Sequence, residues 1–316
     1  MKKSCNFAVA MAKFINPFTD IGFKRIFGQQ FSKPLLLDFL NNLLEGEKKI
    51  EELTLLDKEQ PALFEDDHSL IFDIFCKTDS GEKIIVEMQG RNQPNFKERS
   101  VYYASEAIAR QGEKGIDWKY SIHAVYLVAF MNFKSKLIGN KFRTDVGLVD
   151  LESLQPFTDK MRLIYLQLPL FQKEADECEN DFERWIYVLK NMETLNRLPW
   201  AAKSAVFQKL ASISEVGALT REERHMYDHA LKKYRDTLNV LDGAVQDGIA
   251  EGRAEGRAEG RAEGRAEGMI EGQAKGRAEG EQAKMIEIAC NMKAMNMRIE
   301  DIAKATGLSE TEIAEL

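Results

Sequence analysis

What this sequence lacks narrows its class first. It has no apolar run approaching the roughly 20 residues that a membrane-spanning helix needs, which argues against a membrane partner. The opening MKKSCNFAVAMAKF is basic, but its apolar stretch is only six residues long, too short for a signal-peptide core. Residues 1–13 therefore read as a loose N-terminal extension, with Met11 as an alternative start. Cysteine is scarce: Cys5, Cys76, Cys178 and Cys290 lie far apart without metal-ligand spacing, which points to a reducing cytoplasm. Positive charge is not in excess either. A formal net charge of −7 argues against a basic nucleic-acid-binding coat, while leaving room for a local basic patch. The chain carries no phosphate-cradling Gly-rich motif and no nucleophile triad. His225 and His229 stand one helical turn apart at metal-ligand spacing, but without a nearby third ligand they read as a surface pair rather than a zinc site.

What is present is enough apolar material, 44% of 316 residues, to bury a sizeable core in two domains or in one with appendages. NPFTDIGFKRIFG reads as a helix capped by Asn16, with Pro17 in its first turn and Gly28 ending it. SKPLLLDFLNNLLEG reads as a second helix, from near Pro34 to Gly46. IEELTLLD suggests a strand, followed by the apolar runs of SLIFDIFCKTDSGEKIIVEMQ. NFKERSVYYASEAIARQGEKG has the spacing of an amphipathic helix with Val101, Ala104 and Ile108 on one face. SIHAVYLVAF is a continuous apolar strand suited to a buried parallel position, and RLIYLQLPLF suggests another over 162–171. Helices dominate after about residue 180. The alternation predicts an α/β unit of helix, three strands, helix and strand.

The two runs around TDSG each contain one acid, Asp73 and Glu87. Strand side chains alternate faces, so Asp73 shares a face with Ile71 and Phe75, and Glu87 with Ile85 and Gln89. A three-residue turn of Asp79, Ser80 and Gly81, with Gly81 at positive φ, pairs Thr78 with Glu82 and sets Asp73 opposite Glu87. Their Cβ atoms would then be roughly 4.5–5.5 Å apart. A two-residue turn would put them on opposite faces, so everything rests on register. Two close carboxylates in a half-buried sheet need a shared proton or a cation, and an oxygen-rich site suits Mg²⁺. The bland alternative is a structural hairpin whose acids pair with lysines or face solvent.

PFTDIGFKRIFG, FDIFCKTDSGEKIIVEMQ and FKERSVYYAS, in that order, resemble the Rpn family of recombination-promoting nucleases and putative transposases, within the PD-(D/E)XK nuclease superfamily. The resemblance covers residues 14–175. It implies a restriction-endonuclease-like core acting on DNA with Mg²⁺. Asp73 and Glu87 match the two metal-binding acids, aided by the Met88 backbone carbonyl. Gln89 stands where the superfamily usually has lysine and can orient the attacking water only by hydrogen bonding. Asp20 matches an acid of the first helix; otherwise it is a first-turn acid favoured by the helix dipole. Lys24 falls one turn after Asp20 and could meet phosphate or pair with Asp20. Arg91, Lys97, Arg99 and Tyr103 are candidates for contacting the DNA backbone. The reading is a cytoplasmic, Mg²⁺-dependent endonuclease of low sequence specificity. The alternative is a catalytically weak DNA-binding or scaffolding protein.

After a helical region over 176–242 comes a repeat segment over 243–282: EGRA recurs every four residues through 251–268, with looser copies through Gly280. On a helix each residue type then forms a slowly winding stripe. Glu stacks on Glu, Arg on Arg, and each Gly costs about 1 kcal/mol relative to Ala. The repeat is either a polar tether or a stalk that pairs with another copy into a homo-oligomer. Residues 283–316 end in IEDIAKATGLSETEIAEL, which resembles a helix-turn-helix with Gly307 at the turn and Ser309 capping the last helix. That last helix is acidic, so it reads as a docking element rather than a base reader.

Overall fold

The structure, a computed structural model, describes residues 12–60, 70–112 and 118–316. Most of the expected N-terminal extension lies outside these residues, as do Ser69 and the 113–115 end of the third expected helix. The chain divides into two units, Met1–Asn239 and Val240–Leu316.

In the first unit, α1 (Asp20–Phe27) and α2 (Lys33–Leu43) precede β1 (Leu53–Leu55), β2 (Glu59–Gln60), β3 (Leu70–Ile71), β4 (Ile74–Thr78) and β5 (Lys83–Gln89). Then come α3 (Phe96–Ala109), β6 (Val125–Met131), β7 (Arg143–Val149), β8 (Pro156–Gln167), α4 (Asp181–Asn191) and α5 (Ala205–Ser214). The helix α6 (Arg221–Ala294) continues into the second unit. The main sheet runs β1-β4-β5-β6-β8-β7, with β5, β6 and β8 parallel and the other pairings antiparallel. β2 and β3 form a separate two-stranded ribbon.

Period-two alternation divides the sheet's side chains between two cores. Ile74, Cys76, Ile84, Val86, Val128 and Phe130 pack with α1, α2, α4 and α5 on one face. Phe75, Ile85, Leu127, Ala129, Leu163 and Tyr165 pack against α3 on the other. Three layers result, and the inner strands are apolar on both faces. Trp185 of α4 and Phe207 of α5 lie in the same cluster as Phe27 and Phe39 of the first two helices.

Local expectations need several corrections. The cap of α1 is Thr19, whose Oγ1 accepts from Gly22 N–H at 3.0 Å. Asn16 instead accepts from Phe18 N–H at 2.8 Å and closes the turn that Pro17 starts. On α3 the buried residues are Phe96, Ser100, Ala104 and Ala107, while Val101 faces outward at 46% exposure. Ser100 is admitted because its hydroxyl bonds the Tyr165 hydroxyl at 2.5 Å, and its small size lets the helix approach the sheet. The final parallel strand begins at Pro156, earlier than the apolar pattern suggested, and ends at Gln167 in a short 3₁₀ turn over Leu168–Leu170. Its antiparallel partner β7 went unforeseen, since five of its seven residues are exposed and no apolar alternation marks it.

In the second unit the EGRA repeat is helical throughout, with its side chains exposed. α7 (Ile299–Thr306) ends at Gly307, whose φ of 74° is the left-handed cap that glycine favours. α8 (Glu310–Glu315) starts from a capping box between Ser309 and Glu312. Ala289, Ile302 and Ile313 form a small apolar cluster, with Leu308 packed against it.

Candidate active site

The β4–β5 hairpin sets the site. Gly81 takes φ 93°, Gly81 N–H donates to Thr78 O at 3.0 Å, and Thr78 N–H donates to Glu82 O at 2.9 Å. The ladder then pairs Lys77 with Lys83, Cys76 with Ile84 and Ile74 with Val86. Extending that register by one residue sets Asp73 against Glu87, the consequence of a three-residue turn.

The expected continuous first strand is, however, broken. Leu70 and Ile71 pair with β2, and the main sheet resumes only at Ile74. At the gap, Asp73 N–H donates to Glu87 Oε1 at 3.2 Å, and Asp73 Oδ2 accepts from Met88 N–H at 2.8 Å. Each acid thus takes a backbone partner at the point where the ladder ends. Backbone groups of an inner strand alternate between its two neighbours. Lys83 N–H and Gln89 O bond on the β6 side, so Met88 turns both its N–H and its C=O to the side where Asp73 stands.

The acids open onto a cleft of about 520 Å³. Asp20, Asp73, Glu87, Met88, Gln89 and Arg91 border it, and Arg99 and Tyr103 extend the border along α3. Arg99 is held by Gln93 Oε1 at 2.5 Å and lies over the Phe96 and Tyr103 rings, 5.4 and 5.8 Å from their centroids. Two of the expected residues are not on this border. Lys24 pairs with Asp20 and faces a neighbouring groove with Arg25 and Glu223. Lys97 is exposed on α3, and its carbonyl accepts from the Ser100 hydroxyl.

Burial dominates the electrostatics. Glu87 is 5% exposed, and its carboxyl is pushed up to about 8, first by desolvation and then by the charge of Asp73; Arg99 and Lys24 oppose the shift. Asp73 is also raised, by desolvation first, while its bond from Met88 N–H and the charge of Lys24 pull it down. Asp20 adds a third negative charge that raises Asp73 further. Tyr103 is raised by burial and then by Glu87. Without a cation, Glu87 holds its proton well above the usual carboxylate range, and Asp73 is shifted in the same direction.

The donors are hard oxygens: two facing carboxylates and the Met88 carbonyl. Such a set fits a divalent cation that uses one or two carboxylates and keeps several waters. Among the described residues no group of three His, Cys, Asp or Glu side chains stands in metal-binding geometry. His225 and His229 are exposed on α6.

Part of the border comes from residues that sequence reasoning missed. Lys233, Tyr234 and Thr237 of α6 lie along the cleft. Tyr234 Oη accepts from Asn132 Nδ2 at 2.6 Å, which ties the helix to the end of β6. Their helical spacing is visible in the sequence, but nothing there links it to acids about 150 residues upstream. A profile of the PD-(D/E)XK nuclease family transposases matches residues 17–244.

The chain belongs to the PD-(D/E)XK nuclease family transposases. No match was found to curated proteins or to solved structures. The match to this nuclease family runs past β8 through α4 and α5 and into α6, so it includes the helical wall as well as the acids. No helix among the described residues is long and apolar enough to cross a membrane.

Proposed function

We propose that this PD-(D/E)XK family member is a cytoplasmic, Mg²⁺-dependent DNA endonuclease with little sequence specificity, working in recombination, mobile-element or defence contexts. The observation that carries the reading is the Asp73–Glu87 pair, facing across the end of a broken strand and raised in pKa by burial. Asp73, Glu87 and the Met88 carbonyl would hold the cation, with Asp20 beside them. Bound there, it would polarise the scissile phosphate and lower the pKa of a bound water.

Gln89 sits 7% exposed on the strand face of Glu87, with Nε2 3.5 Å from Glu87 Oε2. Its amide can orient a water by hydrogen bonds but cannot take its proton. Arg99, preorganised by Gln93 and the Tyr103 ring, and Arg91 supply positive charge for phosphates of the strand being cut. These are backbone contacts, which position a duplex without reading its bases.

Gln89 also favours a second reading, since a neutral amide replaces the lysine usual in the superfamily. The protein would then be a catalytically weak DNA-binding or scaffolding protein that oligomerises through its repeat tail. Plasmid nicking by the purified full-length chain separates the two. We expect nicking with Mg²⁺, none with EDTA, and none from Asp73→Ala. Metal-independent or absent nicking by the wild type overturns the endonuclease reading.

A further inference from the structure

Ala230, Lys233, Tyr234, Thr237 and Leu238 follow the i, i+3, i+4, i+7, i+8 spacing of one helical stripe, and all five border the acidic cleft. The rotation of α6 that produces this is fixed by several ties. Tyr227 is buried and its hydroxyl accepts from Asn16 N–H at 2.7 Å. Glu223 pairs with Arg25 at 2.5 Å, and Arg235 pairs with Glu193 at 2.5 Å. Tyr234 is held by Asn132, one residue beyond β6. With those contacts in place, the stripe cannot turn away from the cleft without breaking the core packing.

Two polar members of the stripe are already engaged. The Tyr234 hydroxyl takes the Asn132 bond, and the Thr237 hydroxyl donates to Lys233 O at 2.9 Å. Lys233 is the stripe's one charge, is exposed, and forms no ion pair among the described residues. It borders a cleft whose other cations, Arg91 and Arg99, come from the β5 exit and α3. Positive side chains from three separate parts of the chain on the border of one acidic cleft suit a polyanionic strand whose phosphates flank the reacting centre.

We propose that Lys233 is a phosphate-positioning residue: α6 forms a second wall of the nucleic-acid channel, and Lys233 holds a backbone phosphate next to the one that is cut. This rests on the nuclease reading above and extends it to a helix about 140 residues downstream of the acids.

The test is binding of the full-length chain to fluorescein-labelled oligonucleotides of about 20 nucleotides, single-stranded and duplex, in EDTA over a series of salt concentrations. Each phosphate neutralised contributes about 0.9 to the slope of log K against log salt for duplex, and about 0.7 for single strands. Lys233→Ala is expected to lower the slope by about that amount and to weaken binding at low salt, and Lys233→Arg to restore both. Lys232→Ala, one residue away and outside the cleft border, is expected to bind as the wild type does. An unchanged slope in Lys233→Ala, or an equal loss in Lys232→Ala, overturns the assignment of Lys233 while leaving the nuclease reading intact. A wild-type chain that binds neither oligonucleotide at any salt concentration overturns this inference, while nicking with Mg²⁺ still decides the nuclease reading.

Discussion

Glu87 Oε1 accepts the backbone N–H of Asp73 at 3.2 Å, so one acid of the pair supports the backbone from which the other projects. Asp73 in turn accepts from Met88 N–H, next to Glu87, at 2.8 Å. The two carboxylates are thereby held together where the β4–β5 ladder ends, despite like charge. That arrangement costs free energy unless a proton or a cation shares the site.

Glu87→Ala is expected to abolish Mg²⁺-dependent nicking while leaving the fold intact, because one carboxylate is left to hold the cation. Circular dichroism and a nicking assay on the same preparation check this. Full activity in a correctly folded variant removes Glu87 from the site.

The raised pKa predicts a pH dependence of stability in the metal-free protein. Glu87 has a folded value of about 8 against an ordinary 4.5, so between those values the folded state binds more protons than the unfolded state. Its contribution to stability is thus complete below about pH 4.5 and is lost as pH rises toward 8. In EDTA, the melting temperature is expected to fall over that window. Glu87→Gln should flatten the slope, and Mg²⁺ should raise the melting temperature most near pH 8. A wild-type profile in EDTA that rises from pH 5 to pH 8 contradicts the buried, protonated carboxyl.

Gln89→Lys restores the residue commoner in the superfamily. If the side chain serves the water, cleavage persists or rises, measured as nicking rate at fixed Mg²⁺. Complete loss of activity with an unchanged melting temperature would instead identify a closely packed structural glutamine.

The aromatic cluster on the other face of the sheet predicts a large stability effect. Phe130 contacts the Phe23, Phe27 and Phe39 rings at centroid distances of 5.6, 6.0 and 5.1 Å and is 1% exposed. Phe130→Ala is expected to cost about 3–5 kcal/mol, read from urea unfolding. A loss below about 1 kcal/mol would mean that the site collapses around the cavity.

The repeat helix stacks like charges every four residues and carries glycine at every fourth position, so a lone copy is weak while a second copy offers complementary stripes. Full-length protein is expected to self-associate, more weakly at high salt, and deletion of 244–316 to shift it toward monomer. Cleavage should survive the deletion, because the last residue bordering the cleft is Leu238. Sedimentation of both forms at low and high salt decides it; identical species under all conditions would leave the repeat a tether.

Local chemistry made part of this protein legible from its sequence alone. The period-two alternation of the two strands sets Asp73 against Glu87 once the turn is three residues long, a choice the sequence left open against a two-residue turn, and Ser309 and Gly307 mark the last two helices without any tertiary information. Those features rest on hydrogen bonds and backbone preferences within a few residues. Other features depended on distant partners. The strand breaks at Asp73 because Glu87 takes its N–H, and Ser100 displaces Val101 from the buried face because Tyr165 satisfies its hydroxyl. Lys233 reaches the border of the cleft because Asn16, Arg25 and Asn132 anchor α6. A chain reports its own periodicity, but which face of a helix meets which cleft is decided by packing between segments far apart in sequence.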